Sequence, residues 1–145
     1  MERIVVLDRD TLSVPVPRPS FAHEWVEHAH TGREQVAALG RRVEGQRFDA
    51  VVSSPLTRAY ETAAAFSDAP EIEEDLIEID LGRWEGVPFD TVAEKDGVLL
   101  RSIYNGADEP FGGIGERMSE VAARAWSAID RLAERVGETG RAVVV

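Results

Sequence analysis

Two periodicities alternate along the chain. Ile4 to Leu7, Ala50 to Val52 and Ala142 to Val145 are short, unbroken apolar runs rich in β-branched residues, the pattern of buried strands. Between them the apolar positions recur at helical spacing. Val36, Leu39 and Val43 form one such set, and Leu56, Ala59, Ala63 and Phe66 line the face of another. Met118, Val121, Ala122, Ala125, Ile129, Leu132 and Val136 make the clearest amphipathic stripe, ending at Gly137. Local signals sharpen the boundaries. Thr31-Gly32-Arg33-Glu34 has the form of a capping box, and Gly45 suits the stop of the helix it opens. Ser54-Pro55 predicts a second helix start, with Ser54 as N-cap and Pro55 at the first helical position.

The connections are less regular. Pro15, Pro17 and Pro19 block regular structure after the first strand, and Phe21 to His28 reads as a short helix or an irregular turn. Leu76 to Leu81 is a strand or an extended loop, Pro88 to Lys95 and Val98 to Tyr104 are short helices, and Phe111 to Gly115 is a turn. Strands alternating with helices predict an α/β fold, a three-layer sandwich with a largely parallel sheet, as a single domain over residues 1–145.

Composition narrows the chemistry. The 145 residues carry a formal net charge of −11, which disfavours nucleic acid and anionic membranes as partners but leaves room for a basic pocket. There is no cysteine, so disulfides, thiolate nucleophiles and thiolate metal sites are excluded. No apolar run approaches the ~18 residues of a membrane span, and the apolar run after Met1-Glu2-Arg3 is too short for a signal peptide. A cytoplasmic location is the expectation.

In open α/β sheets, ligands bind at the C-terminal ends of strands. Two such ends are polar here: Asp8-Arg9-Asp10 after the first strand, and Ser53-Ser54-Pro55-Leu56-Thr57-Arg58 after the second. The latter runs into a helix start, where amides and the helix dipole favour an anion and Arg58 can add a charge-assisted fork. An ordinary cap beside a solvated arginine would read the same.

The stretch from Phe48 to Ala63, with Ser53-Ser54-Pro55-Leu56, Arg58-Ala59 and Glu61-Thr62-Ala63, is similar to a signature of the histidine phosphatase (phosphoglycerate mutase-like) superfamily. Gly32-Arg33-Glu34-Gln35-Val36 resembles that family's Gly-x-x-Gln-Ala helix start. Glu78 to Gly86 resembles its Glu-x-x-x-Gly-x-Trp-Glu-Gly segment, and Gly115-Glu116 with Arg124 resembles its later Gly-Glu…Arg helix. The resemblance implies a phosphoglycerate mutase-like fold and action on a phosphate-containing small molecule without a cofactor or metal. A histidine nitrogen would attack the phosphoryl group, arginines and a second histidine would hold its oxygens, and a carboxylic acid would protonate the leaving oxygen. By position, Arg58 and Ser54 would bind phosphate and Glu78 would be the proton donor.

The first strand departs from this pattern. Where the family places Arg-His-Gly, this chain has Asp8-Arg9-Asp10, so Arg9 stands at the nucleophile position. A guanidinium stays protonated and has no lone pair to offer. Asp8 would set negative charge against phosphate, a repulsion of about 4 kcal/mol at ~4 Å and an effective dielectric of 20. The family's second histidine follows the last core strand, within which this sequence stops. The sheet is accordingly expected to be incomplete at the C-terminus and the domain to self-associate. His23, His28 and His30 lie in the connection before the first long helix and read as surface or packing residues.

Two further resemblances concern the N-terminus. Asp8-Arg9-Asp10-Thr11-Leu12 is similar to the Asp-x-Asp-Gly-Thr-Leu start of haloacid dehalogenase-type phosphatases, with the glycine missing; Asp8 and Asp10 would there serve a magnesium-dependent aspartyl phosphatase. The first thirty residues also resemble the start of a D-2-hydroxyacid dehydrogenase, but no Gly-x-Gly-x-x-Gly follows a strand. The functional expectation is a histidine phosphatase-like domain inactive as it stands, with a non-catalytic scaffold or binding protein as the alternative.

Overall fold

A computed structural model of the protein describes residues 3–6 and 30–145. Asp8-Arg9-Asp10, the proline-rich segment, His23 and His28 lie outside the described residues. Strand β1 covers Arg3–Val6 and helix α1 His30–Val43. Strand β2, Ala50–Ser53, is buried along its whole length and leads to helix α2, Thr57–Ala63. Strand β3, Glu71–Ile72, is two residues long. Helices α3 (Phe89–Lys95), α4 (Gly97–Tyr104) and α5 (Met118–Val136) follow, and strand β4 is Arg141–Val144. Short 3-10 turns occupy Glu74–Leu76, Gly82–Trp84 and Phe111–Gly113.

Most elements stand where the periodicity puts them, and α5 spans the predicted stripe from end to end. Gly45, at φ +76°, reverses the chain after α1, and the Gln46 amide donates to the Val43 carbonyl at 2.9 Å. Two local expectations are corrected, and one left open between strand and loop is decided. Helix α1 begins at His30, so Thr31 falls inside its first turn instead of ahead of it. Helix α2 begins at Thr57, not Pro55. Leu56 is held extended (φ −68°, ψ 132°), and its carbonyl accepts the first helical bonds from Ala59 and Tyr60, which makes Leu56 the N-cap. The segment from Ile77 to Leu81 joins no strand and is an extended loop.

Among the described residues all strand pairs are parallel, in the order β1-β4-β2-β3. Strand β4 is an inner strand, between β1 and β2. Val143 lies level with Val5 on one side and Val51 on the other, and Val144 with Val6 and Val52. The ladder continues past the strand ends, with Val145 donating to Val52 at 3.0 Å and Ser54 to Val145 at 2.8 Å.

Among the described residues the chain divides into two compact units: residues 3–6, 30–77 and 125–145, and residues 78–124. In the first, alternate strand side chains serve opposite faces of the sheet. Ala50, Val52, Ala142 and Val144 pack with Leu132, Ile129 and Val136 of α5 and with Leu76. Val51 and Val143 pack on the other face with Ala63 of α2, Phe48, Phe66 and Val145. Helix–sheet–helix layering is the result, and a Cβ added to Gly40 of α1 would stand 3.8 Å from Ala65, just beyond α2. The second unit has its own core of Leu81, Trp84, Val92 and Leu100, bordered by Ile79, Phe89, Ile103 and Phe111. Trp84 is fully buried there; its indole donates to Asp96 Oδ2 at 2.8 Å and meets Phe111 edge-on at 6.1 Å. No helix of the described residues is long and apolar enough to cross a membrane.

Leu132 is 5% exposed at the centre of the α5–sheet contact. Leu132→Ala is expected to lower stability by about 2–5 kcal/mol, through lost burial and the cavity left behind. Trp126→Ala, at a side chain 65% exposed on the same helix, is expected to change it by less than about 0.5 kcal/mol. Urea denaturation of both variants is the check; equal effects would contradict the assigned face of α5.

Candidate functional site

The first candidate segment leaves the sheet at Ser53. Ser53 is completely buried, and its hydroxyl donates to the Ser54 carbonyl at 2.8 Å, so it seals the strand end. The Ser54 hydroxyl oxygen accepts from the Leu56 amide at 3.4 Å. Ser54 therefore shapes the bend ahead of α2, where a helix cap was expected. Arg58 is the second residue of α2 and half-buried. Its carbonyl accepts from the buried Thr62 hydroxyl at 2.8 Å, which braces the turn carrying its side chain. Ser54 and Arg58 thus belong to one short bend at the C-terminal end of an inner strand.

The second segment runs from Glu78 to Gly82 in the other unit. Its backbone lies against Gly115-Glu116. The Glu116 amide donates to the Asp80 carbonyl at 2.9 Å, and the Asp80 amide donates to Glu116 Oε2 at 2.9 Å. Asp80 Oδ1 in turn accepts from the Gly82 amide at 2.8 Å. This approach requires glycine. A Cβ on Gly115 would stand 2.3 Å from the Asp80 carbonyl oxygen, and one on Gly82, at φ +56°, would stand 2.5 Å from the Gly115 nitrogen. Arg124 closes the arrangement with a fork on Glu116, Nε to Oε1 at 2.7 Å and Nη2 to Oε2 at 2.9 Å. Its Nη2 also donates to the Glu78 carbonyl at 3.3 Å. The hydrogen bonds from Arg124 hold the Glu116 carboxyl below the usual carboxylate range, against the opposing effect of burial.

Glu78 is half-buried with its backbone fixed in this way, whereas Arg9 lies outside the described residues. In the sequence, Glu116 and Arg124 have a place in a motif but no partner. They stand eight positions apart, beyond the i, i+3 and i, i+4 spacing of helical neighbours, so no local pattern signals the pair. Asp108 belongs to none of the motifs. Its carboxylate accepts from the amide of Ser119 at 3.0 Å and from its hydroxyl, which anchors the start of α5 and lowers the Asp108 pKa. Among the described residues, no group of three or more His, Asp or Glu side chains is gathered for a metal.

Comparison with known proteins identifies the family and the fold. A family model of the histidine phosphatase superfamily (branch 1) matches residues 27–145. A bifunctional protein of Mycobacterium tuberculosis is 37% identical over 118 residues, 78% of this chain; the chain spans only 31% of that relative's length. The solved structure of a mycobacterial glucosyl-3-phosphoglycerate phosphatase superposes with a TM-score of 0.77 at 22% identity, over 98% of this chain and 71% of its own, and shows the fold alone. A structure of that phosphatase in complex with inorganic phosphate gives a TM-score of 0.68 at 25% identity, over 88% and 66% of the two chains.

The depressed Glu116 pKa has a consequence for stability. The unfolded chain binds this proton more readily than the folded one, so the contribution is full above the ordinary carboxylate range. It is lost as the pH falls through that range towards the lowered folded value. Glu116→Gln is expected to lower the urea midpoint at neutral pH, with the difference from wild type closing on acidification. A difference independent of pH would rule out the charged pair as its source.

Proposed function

Because this chain belongs to the histidine phosphatase superfamily, we propose that it holds a phosphate-containing small molecule at the end of its sheet and does not turn it over through a phosphohistidine. By the family motif, Arg58 and Ser54 would bind the phosphate and Glu78 would be the proton donor. The observation that carries this reading is the register of the inner strands. Val6, Val144 and Val52 are level across β1, β4 and β2. The Ser53-to-Arg58 bend opens one residue beyond Val52, and Asp8-Arg9-Asp10 opens two residues beyond Val6 in the sequence. The Ser53-to-Arg58 bend therefore issues from the C-terminal end of an inner strand of the parallel sheet, the end at which open α/β folds bind ligands.

The chemistry of the first segment restricts any reaction of a bound ligand. Arg9 offers no lone pair to phosphorus, and Asp8 and Asp10 oppose an incoming dianion. Arg58 can supply a two-pronged, charge-assisted contact to phosphate oxygens. A weak anion site in a domain that lacks the family's nucleophile is what these groups can sustain. The phosphatase named among the structural relatives lends support to a phosphate ester as the ligand class.

Two outcomes are expected. Incubation with a generic phosphomonoester leaves no phosphohistidine on the intact protein, with or without magnesium; its detection by mass spectrometry would falsify the proposal. Titration with sulfate or phosphate shifts amide NMR signals around Ser54 to Arg58, with millimolar affinity at best, about −4 kcal/mol. Arg58→Ala should abolish those shifts. Shifts that persist in that variant, or cluster elsewhere, would leave the domain a scaffold without this ligand site.

A further inference from the structure

We infer that Arg124 is a positioning residue for Glu78: it ties together the first and last residues of the 78–124 unit and so fixes the backbone from which the Glu78 carboxyl is presented. The inference rests on the proton-donor reading of Glu78 given above. Residues 78 and 124 bound this compact unit in sequence, and one guanidinium joins them, Arg124 Nη2 donating to the Glu78 carbonyl. The same guanidinium holds Glu116 through two bonds, and Glu116 holds Asp80 through its carboxylate and its amide. Glu78 and Asp80 are therefore both fastened, on either side of Ile79, which packs into the core of the unit. With three attachments within three residues, the loop has little freedom to swing the Glu78 side chain by backbone rotation.

The fixing depends on the shape of arginine and not on its charge alone. The Arg124 and Glu116 side chains are 16% and 25% exposed, so the pair is shielded from solvent competition. Arg124 serves Glu116 through Nε and Nη2 while Nη2 also reaches the Glu78 carbonyl. A lysine ammonium is a point donor on a flexible stem; it can pair with Glu116 but cannot reproduce the planar fork. An ordinary stabilising ion pair would tolerate lysine, whereas a positioning device would not.

The test compares wild type with Arg124→Lys, Arg124→Ala and Glu116→Gln in the full chain. Amide hydrogen exchange is read at Asp80 and Gly82, and the carboxyl 13C shift of Glu78 is read at fixed pH, with the exposed carboxylate Glu134 as control. In Arg124→Lys, which is expected to keep its far-UV spectrum, Asp80 exchanges about tenfold faster or more, and Glu78 shifts while Glu134 does not. If Arg124→Ala fails to fold, Arg124→Lys and Glu116→Gln carry the comparison. Wild-type exchange at Asp80 together with an unmoved Glu78 signal in folded Arg124→Lys would overturn the inference. The role of Glu78 itself is judged separately, by whether its carboxyl signal responds to phenyl phosphate in the wild-type protein. No response there sinks the proton-donor reading and the positioning role with it, whereas a response with unchanged Arg124→Lys behaviour sinks the positioning role alone.

Discussion

The described structure depends on one long-range event, the insertion of β4 between β1 and β2. Asp49 and Arg141, 92 residues apart, are joined where β2 and β4 begin: the Arg141 amide donates to Asp49 Oδ2, and the Asp49 amide to the Arg141 carbonyl. From there the three residues Ala142, Val143 and Val144 supply both faces of the sheet, Ala142 and Val144 to the cluster under α5 and Val143 to the cluster with α2. Without β4, neither face has its central side chains and β1 has no described partner. Closing so long a segment is entropically costly. That cost falls if the intervening chain is already compact, and residues 78–124 have their own core and joined ends. The sheet can then close across a folded insert in place of a flexible loop.

Legibility from sequence depends on the range of the forces involved. Helix α5 and the central strands can be read because burial imposes a period on many residues at once. Strand β3 cannot: two exposed residues, Glu71 and Ile72, carry no period, and only the neighbouring β2 makes them a strand. Ser54 misleads for a different reason. A serine before a proline fits a helix N-cap, but the same hydroxyl can bond two residues ahead and build a bend first. The structure adopts that alternative, and the helix waits for Thr57. The Glu78–Gly82 segment is ambiguous between strand and loop in the sequence because what holds it is 36 residues away, at Glu116.

The candidate site divides along the same line. Arg58, Ser54 and Glu78 can be nominated because a family motif keeps such residues in fixed order. The groups that hold the Glu78 segment also fall in a motif, but their pairing with that segment cannot be read from it, since its logic is steric and three-dimensional. Gly115 is needed because the Asp80 carbonyl occupies the space a side chain would fill. That close approach brings the Glu116 amide and carboxylate to Asp80, and the carboxylate then meets the fork of Arg124. A glycine, a carboxylate and an arginine form a single device, although in sequence they look like a turn, an acid and a helix residue.

The acidic run from Glu71 to Asp80 looks like a uniform repulsive surface on a chain of charge −11, yet its members are held in different ways. Arg131 bridges Glu73 at 3.1 Å and Asp75 at 2.7 Å, and Arg135 meets Glu71 at 2.6 Å. These pairs are half in solvent, so they contribute little to stability and chiefly cancel like-charge repulsion beside the edge strand. At the other end of the run, Asp80 is fixed by a shielded carboxylate that is itself forked by Arg124. Shielding is what separates the two cases, because a water-exposed pair exchanges partners at small cost and a shielded one does not. The arginines at 131 and 135 moderate charge, whereas the arginine at 124 sets geometry, and a difference in burial along one helix is enough to give the same side chain both tasks.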